Sequence, residues 1–133
     1  MSRLSAEIEL AWGPGVYTFA LKAKQIEELE HRMGVGIGRI TARIHSNVDF
    51  YFRDVRDTIF LGLVGGGTSA AEASRLVDTW VDGQPIEPLG RDGKPHPDGN
   101  LSTARAILGA CRYGWEALPD APVGEPPKAD GKQ

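Results

Sequence analysis

Glu7-Ile8-Glu9-Leu10-Ala11-Trp12-Gly13-Pro14-Gly15-Val16-Tyr17-Thr18-Phe19-Ala20-Leu21 decides how the chain begins to fold. Ile8, Leu10 and Trp12 alternate with Glu7 and Glu9, and a period of two marks a half-buried strand. Gly13-Pro14-Gly15 is a strong turn signal. Tyr17, Phe19 and Leu21 then alternate with Val16, Thr18 and Ala20. Two β-prone runs joined by a short glycine turn read as a hairpin. A lone hairpin is marginal in water, so one face has to pack on something further along the chain.

Downstream the apolar spacing changes to that of helices. Ile26, Leu29 and Met33 give a short helix over 22–33, with Glu27, Glu28 and Glu30 towards solvent and Gly34 at its stop. Ile37, Ile40 and Ile44 give a second helix over 37–45. A polar break at 46–49 offers several N-caps. A third helix, about 50–64, carries Phe52, Val55, Ile59 and Leu63 on one stripe, with Arg53, Asp54, Arg56 and Asp57 expected on its exposed side. Gly65-Gly66-Gly67 ends it, and Ser69-Ala70-Ala71-Glu72 matches a capping box for a fourth helix reaching Val81. Its apolar face is Ala73, Leu76, Val77, Trp80 and Val81.

Pro85, Pro88, Pro95 and Pro97 forbid a regular helix in 83–100, and loops this long are usually functional or disordered. A last helix is expected over 101–117, with Leu101, Ala104, Leu108, Cys111, Trp115 and Leu118 on one face. Residues 119–133 read as a disordered tail by composition. The expectation is one globular α+β domain over 1–118: an N-terminal β-hairpin, then about five helices, mostly helical.

Fifteen basic and 18 acidic side chains leave a net charge of −3, against a general nucleic-acid binder. No stretch approaches the ~18 apolar residues that span a bilayer, and no signal peptide is evident, so no membrane partner and a cytoplasmic location are expected. The single cysteine, Cys111, excludes an internal disulfide framework. It lies on an apolar stripe and reads as a packed thiol rather than a nucleophile.

Little else suggests catalysis. The triple glycine follows a helix instead of a strand and lacks the Lys-Ser/Thr of a phosphate loop, so it reads as a tight corner. Gly34, Gly36 and Gly38 have no βαβ unit around them. His31, His45 and His96 form no close ligand pair, the aspartates lack Ca²⁺-loop spacing, and no metal or cofactor is expected. Glu27, Glu28 and Glu30 read as a solvated helix face. A helix-turn-helix from helices three and four is a weak alternative, because the fourth offers only Arg75 among basic residues.

The aromatics carry more information. Trp12, Tyr17, Phe19, Phe50, Tyr51, Phe52 and Phe60 cluster in the hairpin and third helix, with Tyr51 and Phe60 off the Phe52 stripe. A core wrapped around that helix is one reading; a patch covered by a partner is the other. The candidate partner-binding surface is Tyr51, Phe52 and Phe60 with Ile40 and Ile44.

The stretch Ile59-Phe60-Leu61-Gly62-Leu63-Val64-Gly65-Gly66-Gly67-Thr68-Ser69, followed by Ala71-Glu72-Ala73, Leu76-Val77 and Val81-Asp82, resembles the gene-transfer-agent family of the phage tail region. Members are tail-tube or tail-assembly-chaperone-like. The resemblance covers about residues 6–82 well and 101–115 loosely; 84–99 and the proline-rich tail depart from it. It implies a non-enzymatic role in tail morphogenesis and transfers no active-site residue. An assembly chaperone for the tape-measure or tail-tube protein is the expectation, and a structural component of the tube, in the tail particle, is the alternative. A homo-oligomer is compatible with both.

Overall fold

The structure, a computed structural model, describes residues 3–46 and 48–117; the expected disordered tail at 119–133 lies outside them. The chain runs through β1 (Arg3–Ser5), β2 (Ile8–Trp12), β3 (Gly15–Phe19), α1 (Ala23–Met33), α2 (Ile37–Ser46), α3 (Phe52–Gly65), α4 (Ala70–Trp80), α5 (Asn100–Tyr113) and β4 (Trp115–Ala117). The fold is α+β, with the expected hairpin and five helices.

Strands β2 and β3 pair antiparallel from Ile8↔Phe19 to Trp12↔Gly15. Gly13 adopts φ +57° and the Pro14 ring holds φ negative, the combination of a type II′ two-residue turn. Such a turn makes Trp12 and Gly15 a hydrogen-bonded pair. By alternation the backbone groups of Val16 and Thr18 point away from β2, and those of Glu9 and Ala11 point away from β3. Trp12 and Phe19 are buried, while Val16 on the opposite face is exposed. The Trp12 ring meets Tyr17 and Phe19 edge-on, with centroids 5.9 and 6.0 Å apart.

Helix α3 is the centre of the molecule, packed by α1, α4, α5 and β3. Val55, Ile59 and Leu63 have no exposed surface. The triple glycine explains how the hairpin docks on it. A Cβ on Gly65 would overlap the Ala20 carbonyl oxygen, and one on Gly66 would overlap that of Thr18. Helix end and strand exit therefore meet backbone to backbone. Ala20 N–H donates to Gly62 O at 2.9 Å. Thr68 N–H donates to Leu63 O at 2.9 Å, closing the helix end that the strand abuts.

A polar staple completes the hairpin's attachment. Buried Trp12 Nε1 donates to Asn100 Oδ1 at 2.8 Å, and Asn100 Nδ2 donates to the Trp80 carbonyl at 3.1 Å. One amide at the start of α5 thus joins hairpin and α4, and satisfies an indole that would otherwise be costly to bury.

Several expectations are corrected. Asp54 and Asp57 are buried, because arginines reach them. Trp80 stays partly exposed, with its ring against Gly13. The 46–49 break supplies no cap for α3; Asp54 Oδ2 reaches back to accept Tyr51 N–H at 2.8 Å. Ser69 Oγ does accept Glu72 N–H, at 3.2 Å, as the capping box requires. The last helix stops at Tyr113 instead of 117, because Gly114 turns the chain at φ +72° and β4 then pairs with β1. The proline-rich segment forms a small finger: Leu89 bridges Pro95, His96 N–H donates to Pro88 O at 2.8 Å, and Leu101 N–H donates to Ile86 O at 2.9 Å.

Substituting Gly65→Ala or Gly66→Ala is expected to lower unfolding free energy by about 3 kcal/mol or more, since backbone cannot yield as a side chain would. Gly38→Ala, with open space at its Cβ, should leave stability unchanged or raise it by about 0.5 kcal/mol. Urea titration followed by circular dichroism reads both; equal losses at all three positions would contradict this account of the corner.

Candidate partner-binding surface

The chain between α2 and α3 makes a sharp corner, and Asp49 there adopts φ +63°, the one described non-glycine residue in the left-handed region. Around it Val48 is 62% exposed, Tyr51 61% and Phe52 42%. Three large apolar side chains within five positions stay in water. A shallow basin of about 600 Å³ adjoins Val48 and is lined also by Arg39, Ala42, Arg43, Ser46 and Asp49. Arg39 is exposed and has no ion-pair partner among the described residues.

The corner is held from beneath by buried charge. Arg43 Nη2 and Nε donate to Asp54 Oδ1 and Oδ2 at 2.7 and 3.0 Å, and the Asp54 side chain is fully buried. The same carboxylate accepts Tyr51 N–H, and the Arg43 guanidinium lies 4.8 Å from the Tyr51 ring centroid. One arginine therefore ties α2 to the start of α3 and sets the tyrosine's plane. A turn further on, buried Asp57 receives Arg32 at 3.5 Å and Arg53 at 3.4 Å.

The candidate residues divide. Tyr51 and Phe52 are on the surface. Phe60 is half-buried beneath the Arg32 guanidinium, 5.2 Å from its ring centroid. Ile40 and Ile44 have no exposed surface, which corrects their place in the candidate surface. The apolar stripe of α2 packs inward, against α5, α1 and α3. Val48 was hidden in a break otherwise read as polar; a lone valine among cap residues was its only signal.

The remaining chemistry is dispersed. His31, His45 and His96 are exposed; His45 Nδ1 lies 3.0 Å from the Thr41 carbonyl and His96 pairs with Asp98. Cys111 is half-buried, and burial pushes its thiol pKa up. Among the described residues no hydrogen bond or ion pair joins it to a histidine or carboxylate, and no group of three or more His, Cys, Asp or Glu can hold a metal ion. A cleft of about 240 Å³ opens beside the hairpin turn, lined by Trp12, Trp80, Gln84, Pro85, Pro88 and Asn100 among others. Arg56 bridges Asp78 and Asp82 across α3 and α4 at 3.0 and 2.9 Å, and its pKa is raised, chiefly by the hydrogen bond to Asp82. No helix among the described residues is long and apolar enough to cross a membrane.

A family model described as "Phage tail tube protein, GTA-gp10" matches residues 5–90, and the chain belongs to that family. By its family match the chain is a tail protein of a phage-like particle. The matched region spans the hairpin, the triple-glycine corner and α1 to α4, and ends within the proline-rich finger. Neither a curated protein nor a solved structure matches the chain.

Arg43→Ala should cost about 3 kcal/mol of stability, because it strands the buried Asp54 carboxylate. Thermal and urea unfolding test this; a loss under about 1 kcal/mol would show the pair to be slack. Cys111 should react with a disulfide reagent at pH 7 several-fold more slowly in the native protein than in urea.

Proposed function

We propose that this protein is a tail-assembly chaperone. It binds the tape-measure or tail-tube protein before polymerisation, in the bacterial cytoplasm, and carries out no chemistry of its own. The observation that carries this reading is the exposed Val48-Tyr51-Phe52 corner on a scaffold fixed by a buried ion pair. Apolar side chains held rigidly in water lose little entropy when a partner covers them, which is what hot-spot residues require. Tyrosine and phenylalanine at such a place suit an amphipathic client helix.

Tail-tube subunits are typically rich in β-structure, because strands line the lumen. Here five helices dominate, and the described strands form two short ribbons. That balance favours a client-binding role. The second reading, a structural component of the tube, is favoured by the family's own description. Electron microscopy separates them: rings or tubes from the purified protein alone support the second reading and count against the first.

Co-expression with the tape-measure and tail-tube proteins from the same gene cluster tests the chaperone reading. The wild type is expected to co-purify with one of them and raise its soluble yield. Tyr51→Ala with Phe52→Ser should weaken binding at least about tenfold while stability changes by less than about 1 kcal/mol. Undiminished binding by that double variant would remove the corner from the function.

A further inference from the structure

The two edges of the hairpin are treated differently by the fold. At the exit of β3 the edge is covered by the end of α3: Ala20 N–H donates to Gly62 O and the Thr18 carbonyl lies against Gly66, while Val16 and the Thr18 N–H, nearer the turn, meet no hydrogen-bond partner among the described residues. On β2 the outward N–H and C=O groups of Glu9 and Ala11 meet no hydrogen-bond partner among the described residues. Ala11 is exposed, and Ile8 and Leu10 are only half-buried although they point to the core side. Exposed edges are normally blunted by lysine, proline or a bulge. Residues 8–12 contain no lysine or proline, and their register with β3 is unbroken.

We infer that the β2 edge pairs with β2 of a second copy of this chain, antiparallel across a two-fold axis centred on Leu10. Charge and hydrogen bonding select this occupant and this register. Centred on Leu10, Glu9 of each copy faces Ala11 of the other, so all four outward groups of each strand are used. Leu10 then faces Leu10, and Ile8 faces Trp12, which extends the half-buried apolar side into a four-stranded sheet. A register centred on Glu9 sets like charges directly opposite, which is unfavourable. One centred on Ala11 pairs Glu9 with the turn glycine and forfeits half the bonds. The interface is isologous, so it closes at a dimer. It lies on the hairpin rather than the α2–α3 corner, and it stands or falls separately from the chaperone reading.

Sedimentation of the full chain across about 5 µM to 1 mM tests the pairing, with circular dichroism confirming that each variant is folded. A concentration-dependent dimer is expected. Ala11→Lys sets an ammonium opposite Glu9 of the second copy twice per dimer and should tighten association about three- to tenfold; Ala11→Glu should weaken it by a similar factor. Ala11→Pro, tolerable where the N–H faces solvent, should abolish the dimer. A monomer at 1 mM, or an oligomer indifferent to all three substitutions, would overturn the inference.

Discussion

The backbone contact between the end of α3 and the exit of β3 is the constraint on which the rest of the structure depends. Two small strands cannot hold themselves together in water. They persist here because Gly65 and Gly66 let the helix end approach the Thr18 and Ala20 carbonyls more closely than any side chain permits. That approach covers the exit end of β3 and aims Phe19, Ala20 and Leu21 into the core, all of them buried. It also fixes the direction in which the chain leaves for α1. With α3 clamped at its C-terminal end, the Arg43–Asp54 pair clamps the other end, and a helix fixed at both ends can present Tyr51 and Phe52 in one orientation. The fold and the candidate surface are thus linked through a single helix.

Much of this architecture was legible in the sequence. The alternation of residues 7–12 and 16–21 gave the hairpin, because a half-buried strand writes its two faces directly into its residue types. The helices followed from spacing, and the triple glycine was correctly read as a corner. Its reason was not legible. Nothing local in Gly65-Gly66-Gly67 says that another segment's backbone will lie against it; that is a property of two elements 45 residues apart along the chain. The strand β4 escaped for a related reason, since three residues after a helix carry no periodicity and its partner is at the opposite terminus.

The candidate surface was half legible. Tyr51 and Phe52 stood out as aromatics at a helix start. Ile40 and Ile44 were grouped with them because an amphipathic stripe shows only that a helix has an apolar face, without showing what covers it. Asp54 and Asp57 misled in the opposite sense: charge predicts exposure unless a partner is supplied, and although Arg53 reaches Asp57 from the same helix, Arg43 and Arg32 reach across from other helices. Membership of the tail-tube family narrows the setting to a phage-like tail. The proposed client-binding surface, the aromatic corner, and the proposed self-pairing surface, the β2 edge, sit on different elements.

Hydrogen exchange of the full chain, with and without the tape-measure or tail-tube protein that co-purifies with it, tests the central claim most directly. The account predicts that amide protection on binding is concentrated in the segment 48–56, with the hairpin's 8–19 little changed. Protection confined to the hairpin or to the proline-rich finger, with 48–56 unaffected, would contradict it.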